Sequence, residues 1–225
     1  KLPDLCAAAQ MPAVAVTDTN NMFAALEFSV AASEAGVQPI IGCQVDMAYA
    51  LTAPGEQPPP PAPVVLLAQN EAGYENLMRL NTCLYVARGG QAPQVTIEEL
   101  QAHSEGLICL TGGPDGPVGR LLRRARHDAA EALMRRLAGI CPDRLYVELQ
   151  RHPSEAGPPE AERLTERGLI EIAYAMDLPL VATNDVYFPD AAMYEAHDAL
   201  ICIAEGAYVD QIEPRRRLTP QHYFK

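Results

Sequence analysis

Two periods of hydrophobic and polar positions alternate along the chain. Residues 12–17 (Pro-Ala-Val-Ala-Val-Thr) form a short apolar run rich in β-branched residues, which predicts a strand buried on both faces. Asp18-Thr19-Asn20-Asn21 follows as a turn and helix N-cap, and residues 22–35 read as a helix stopped by Gly36. Residues 38–49 and 63–68 predict further strands, and Asn70 is placed to cap a helix from Glu71 to about Ala87. Thr96-Ile97-Glu98-Glu99 has the spacing of a capping box that opens a short helix. A strand over 106–111 precedes two Arg-rich helices over 118–126 and 128–138. Leu145, Val147 and Leu149 alternate within a strand over 144–150. A long helix over 159–176, a strand over 178–183 and a helix over 190–204 complete the series. Strand and helix take turns, which predicts a largely parallel α/β domain. Val14, Val16, Val65, Leu66, Leu67 and Val181 are its expected core residues.

Composition narrows the picture. With 48% apolar and 20% charged residues the chain can build a core, which excludes intrinsic disorder. A net charge of −12 makes it a poor grip for duplex DNA, which needs a clustered basic face. No apolar run approaches the ~18 residues that a membrane span requires, and no signal peptide is visible. The cysteines Cys6, Cys43, Cys83, Cys109, Cys141 and Cys202 show no C-x-x-C spacing, so buried free thiols in a reducing, cytoplasmic setting are expected. The prolines between Pro54 and Pro63 predict an exposed loop. Arg120, Arg123, Arg124 and Arg126 read as a solvated helix face, with His127 exposed beside them. The opening residues read as a helix already under way and the chain as a piece of a longer protein.

Reactive groups of parallel α/β folds stand just past the C-terminal ends of the strands. Asp18 and Thr19 follow the first strand, and Gln44 and Asp46 share one face of the second. Gln150 and His152 follow the strand over 144–150, and Asn184 and Asp185 the strand over 178–183. Carboxylates and an imidazole converging on one rim suit a hydrolytic metal site. An Asp after a strand also has a simpler use, as cap of the next helix.

Val16-Thr17-Asp18-Thr19-Asn20 resembles the T-D-H-N block of the PHP (polymerase and histidinol phosphatase) domain. The run Pro39-Ile40-Ile41-Gly42-Cys43-Gln44 resembles its P-I-I-G-x-E block, and residues 66–77 its L-L-A-x-N-x-x-G-Y-x-N-L block. Tyr146-Val147-Glu148-Leu149-Gln150-Arg151-His152 is similar to Y-x-E-L-Q-x-H, and Ala182-Thr183-Asn184-Asp185-Val186-Tyr187 to A-T-N-D-V-H-Y. Glu195 to Asp198 and residues 217–225 also fit, and the blocks follow the family order over nearly the whole chain. The version resembled is the PHP domain of the alpha subunits of bacterial replicative DNA polymerases, in an alphaproteobacterial form.

The resemblance implies a distorted (β/α)7 barrel, here lacking its first strand. It assigns residues 1–210 to the PHP domain and 211–225 to the start of the connection to the polymerase body. It also implies ancestry in a metal-dependent phosphoesterase with a trinuclear cluster. Asp18, His152 and Asp185 stand at matching metal positions. Thr19 replaces a His, Gln44 a Glu, Pro63 a His and Tyr187 a His, and the H-x-H motif of the first strand is absent. A structural zinc site is worth about 10–16 kcal/mol, or about 3 kcal/mol per ligand, so these replacements remove more than a hydrated cluster can lose. Hydroxyl, amide and phenol are poor zinc donors. Asp46 is the one nearby residue that could stand in for the Glu.

The resemblance therefore implies a non-catalytic scaffold within a DNA-directed DNA polymerase, whose zinc or manganese cluster is absent or partial. The polymerase itself would use Mg²⁺ held by residues outside these blocks. A proofreading exonuclease subunit is the implied partner of the domain. Sliding clamp, clamp loader and DNA would be met through the parent protein, and no membrane. The alternative is an active metal-dependent 3'-5' exonuclease or phosphoesterase, which needs the full ligand set. A free-standing hydrolase is disfavoured by the polymerase-like residues 217–225.

Overall fold

The computed structural model describes residues 2–49, 58–86, 92–154, 157–211 and 218–225. Residues 54–57 of the proline-rich segment, the residues Arg215 to Arg217 and the far end of the helix expected to reach Ala87 lie outside them.

Seven strands form one sheet: β1 (Ala13–Val16), β2 (Gln38–Ala48), β3 (Ala62–Ala68), β4 (Val95–Thr96), β5 (Leu107–Leu110), β6 (Leu145–Gln150) and β7 (Leu180–Thr183). Their order is β1-β2-β3-β5-β6-β7, with β4 beside β2. The helices are α1 (Leu2–Ala8), α2 (Ala25–Glu34), α3 (Glu71–Tyr85), α4 (Ile97–Ala102), α5 (Pro117–Arg123), α6 (His127–Ile140), α7 (Glu160–Ala175) and α8 (Tyr194–Glu205). The alternation of strand and helix produces the mixed α/β fold that the sequence predicts. β3 departs from the parallel pattern, running antiparallel to both β2 and β5. β2 and β3, consecutive in the chain, pair side by side with opposite directions.

Strand alternation sorts the side chains. Cys43, Val45 and Met47 of β2, Val64 and Leu66 of β3, and Leu145 and Val147 of β6 are fully or nearly fully buried. They pack into one cluster with Leu77, Leu80 and Leu84 of α3, Met134 and Leu137 of α6, and Leu169 and Ala173 of α7. The opposite face follows the register Gln44–Val65–Leu110–Tyr146 across the sheet. Of the six expected core residues only Leu66 is sealed; Val14, Val16, Val65, Leu67 and Val181 are half-buried. Val65, Leu67 and Val181 lie on the face away from the core helices. β1 is not buried on both faces, because it ends the sheet and has a strand neighbour on one side only.

Side-chain caps hold at the starts of α3 and α4. Asn70 Oδ1 accepts from Gly73 N at 3.0 Å, and Thr96 and Glu99 exchange both capping-box bonds. α2 begins at Ala25 instead of Met22, because Asn21 Oδ1 accepts from Phe23 N at 3.1 Å and holds a turn there. The run from Asp190 splits into a 3₁₀ turn, Ala191–Met193, and α8. All six cysteines are free, and five are buried. His127, Arg123, Arg124 and Arg126 are exposed as expected. Arg120 is not part of that solvated face: it is half-buried and donates to the carbonyls of Pro60 and Pro61 at 3.1 and 2.8 Å.

Gly73 and Gly106 meet back to back. A Cβ on Gly73 would stand 1.9 Å from Gly106 O, and Gly106 itself has φ +69°. Gly73→Ala is expected to lower stability by about 1–3 kcal/mol or more through overpacking. Leu66→Ala should cost about 2–5 kcal/mol through the cavity it leaves. Urea unfolding of each variant against the parent checks both. A change under half a kilocalorie would refute the respective packing argument.

Candidate metal centre

The sheet delivers the predicted polar residues to its strand ends in two groups. At the β1–β2 end, Thr19 pairs with Gln44 through an isolated parallel bridge, and Gln44 N donates to Asp18 O at 3.1 Å. Gln44 Nε2 donates to Thr19 Oγ1 at 3.2 Å. Two of the positions that the resemblance gives as replaced ligands thus satisfy each other. Asn20, with φ +57°, turns back over β2. Its Nδ2 donates to Asp46 Oδ2 at 2.8 Å, and its Oδ1 accepts from Asp46 N at 3.0 Å. Asp46 is therefore held by an amide, and Pro63 is its partner in the β2–β3 register. Asp18 is exposed.

At the β6–β7 end, His152 is 1% exposed. Its backbone N–H donates to both oxygens of Glu162, at 3.1 and 3.0 Å, and its Nδ1 lies 2.6 Å from Glu162 Oε1. A carboxylate on one ring nitrogen fixes the tautomer and leaves the other nitrogen with its lone pair, as in many metal-ligating histidines. The other nitrogen, Nε2, is buried with no hydrogen-bond partner. The ring of His222 stacks on His152 with centroids 3.7 Å apart and planes 13° apart. His222 Nδ1 donates to the backbone carbonyl of Asp185 at 2.9 Å. Burial pushes the His222 imidazole below its usual pKa, and the neighbouring His152 adds to the effect. Tyr187, at another replaced position, meets His222 edge-on with centroids 5.9 Å apart.

Between the two groups lies a buried carboxylate. Glu148, 3% exposed, accepts from Gly112 N at 3.0 Å, from Gln150 Nε2 at 3.1 Å and from the Thr183 hydroxyl. Desolvation outweighs these donors and raises its pKa.

The donor set does not fit a trinuclear cluster. His152 has the orientation of a metal ligand, with its supporting carboxylate in place. Thr19 and Gln44 bond to each other, and Asp46 is engaged by Asn20. Among the described residues no three His, Cys, Asp or Glu side chains are disposed to hold a metal ion. Asp18 and His152 belong to opposite ends of the strand order, and Asp185 meets the His pair through its backbone carbonyl.

Sequence reasoning missed Glu162, His222 and Glu148. Glu162 lies ten residues past His152 on α7, a separation that carries no motif. His222 reaches His152 only through the path of the final segment. Glu148 sits inside the Y-V-E-L-Q run, and its place out of phase with Leu145, Val147 and Leu149 was the signal available.

Comparison with known proteins follows the same lines. The PHP domain model matches residues 1–152. The chain is 46% identical over 222 residues to the DNA polymerase III subunit alpha of Caulobacter vibrioides, covering 98% of this chain and 19% of that protein. It is 34% identical over 226 residues to its counterpart in Rickettsia bellii, covering 100% of this chain and 18% of that one. For Pseudomonas aeruginosa the figures are 35% over 217 residues, 96% and 18%. The chain thus spans about a fifth of the length of the curated relatives it matches. With the family model covering well over half of its residues, the chain belongs to the PHP domain family.

Proposed function

We propose that this chain is the PHP domain of a DNA polymerase III alpha subunit, and that it serves there as a non-catalytic scaffold. Residues 1–210 form the domain, and residues 211–225 lead toward the polymerase body. The parent would join deoxynucleotides on a DNA template with Mg²⁺ held elsewhere, since none of the family blocks in this chain resembles a palm-domain set of acids. DNA, sliding clamp and clamp loader would be engaged by the parent, because a net charge of −12 suits none of the backbone contacts that DNA requires. No described helix is long and apolar enough to cross a membrane.

One observation carries the loss of hydrolytic activity: the replaced ligand positions have taken protein partners of their own. The Gln44–Thr19 hydrogen bond and the Asn20–Asp46 lock occupy donors and acceptors that a cluster would need free. A domain kept after its metal site has gone is kept for packing or docking. We assign it the proofreading exonuclease as partner, since hydrolysis lost from the domain is then supplied by a docked subunit.

Two outcomes test this. Full-length protein should carry fewer than three metal ions per chain and release no nucleotide from a DNA 3' end in a metal-dependent manner. The combined changes Thr19→His, Gln44→Glu and Tyr187→His should raise its metal content, measured by elemental analysis. Three ions per chain, with a chelator-sensitive activity that Asp18→Asn abolishes, would overturn the scaffold reading. Separately, purified exonuclease titrated against the domain-bearing protein should bind saturably in calorimetry. Binding that survives deletion of the domain would place the docking elsewhere.

A further inference from the structure

α8 is built the wrong way round for a helix at the surface. Asp198 and Cys202, one turn apart, face the domain and are buried. About half a turn away stand Met193, Ala196, Leu200 and Ile203, all exposed, Leu200 at 62% and Ile203 at 78%. They follow one another at steps of three, four and three residues. That is the spacing of the a and d positions along which two helices interlock. Ala199 and Ala204 border the stripe, small and uncharged, so a second helix can come close. Past Gly206, which ends α8 in the left-handed conformation, Tyr208 and Val209 extend the exposed apolar surface. Scattered apolar residues at a surface are ordinary, but a contiguous stripe of them marks an interaction surface.

We propose that this stripe is a packing seam, covered in the parent protein by an amphipathic helix of the same chain from the part that follows Lys225. The inference rests on the reading above that residues 211–225 lead toward the polymerase body, and goes beyond it by naming the face on which that body is seated.

The path of the chain favours this occupant. Residues 218–225 are fastened where α8 begins. The Tyr194 hydroxyl donates to Leu218 O at 3.2 Å, and Phe224 N donates to Phe188 O at 3.0 Å. The Phe188 ring stands 6.3 Å from the Tyr194 ring, centroid to centroid. The 12 residues of α8 span about 18 Å, a length that about six extended residues cover. Chain continuing past Lys225 is therefore tethered beside the seam, and tethering raises its local concentration above that of a free partner. The curated relatives leave ample chain to supply it, since the matched region is 19% of the Caulobacter protein and 18% of the Rickettsia one. Composition agrees with a permanent occupant. Helices that choose among partners keep charged residues beside the seam. Permanent interfaces are more apolar and resemble a core cut in half. The alanine borders of α8 are of the second kind.

The test uses the full-length protein, with a photoreactive side chain on the seam. Irradiation of the Ile203→p-benzoylphenylalanine variant should give an adduct between position 203 and a residue C-terminal to Lys225 of the same chain, located by mass spectrometry. In a second variant, Ile203→Cys, maleimide should label the peptide that carries the new thiol at least about tenfold more slowly in folded protein than in urea. Should these variants fail to fold, the same changes at Leu200, one turn away, are read in the same way. Slow labelling together with the adduct supports the seam. An adduct with residues preceding Lys1, with residues 1–225, with a second copy or with another subunit overturns it. So does the lack of any adduct, or labelling at the unfolded rate. Template-directed DNA synthesis by the same preparation keeps the two readings apart. Free labelling of a polymerase-active protein overturns the seam alone, whereas a full-length protein without that activity overturns the assignment of the parent and the seam with it.

Discussion

Burial of one face of the sheet against helices is the constraint from which the rest follows. Cys43, Val45 and Met47 of β2 and Val64 and Leu66 of β3 are sealed against α3, and Leu145 and Val147 of β6 join the same cluster with α6 and α7. A period of two then forces Gln44, Asp46, Glu148 and Gln150 onto the other face, whatever their chemistry. Polar side chains on such a face stay affordable only if bonded to something. In a metal-dependent relative a cluster could meet that demand. Here the chain meets it with its own amides, hydroxyls and rings.

The replacements make sense as a set under this constraint. A single His-to-Thr change beside an intact Glu would leave a carboxylate without a counter-charge. Gln44 with Thr19 makes a neutral pair that is satisfied at 3.2 Å, and Asp46 accepts from the Asn20 amide nitrogen and donates its backbone N–H to the Asn20 amide oxygen. Glu148, whose pKa burial raises, accepts from three donors. On the far side, Glu162 holds His152 as it would hold a ligand, but the ring faces a second imidazole. The rim is held by many weak interactions of fixed geometry.

The shape of the sheet explains the uneven burial at its margins. β1 and β7 end the strand order, and Val14, Val16 and Val181 are half-buried as a result. The close Gly73–Gly106 approach shows the opposite extreme, where α3 sits so near the turn before β5 that no side chain fits between.

Local chemistry decided much of this protein without reference to the fold. The alternation of elements, the Asn70 cap, the Thr96–Glu99 capping box and the family blocks all depend on residues close together in sequence, and the physics that reads them is short-ranged. The same holds for the chemistry of each side chain at the family positions, because a Thr cannot act as a His wherever it stands. Only the tertiary structure decided which strand ends the sheet, and therefore that the apolar run at 13–16 is half-covered. It alone reversed β3, took Arg120 out of the solvated face and set Glu162 beneath His152. It alone brought His222 across 70 residues of chain onto the ring of His152. Contacts of that kind depend on where several elements come to rest together, and no spacing in the sequence encodes a meeting between segments that only packing makes neighbours.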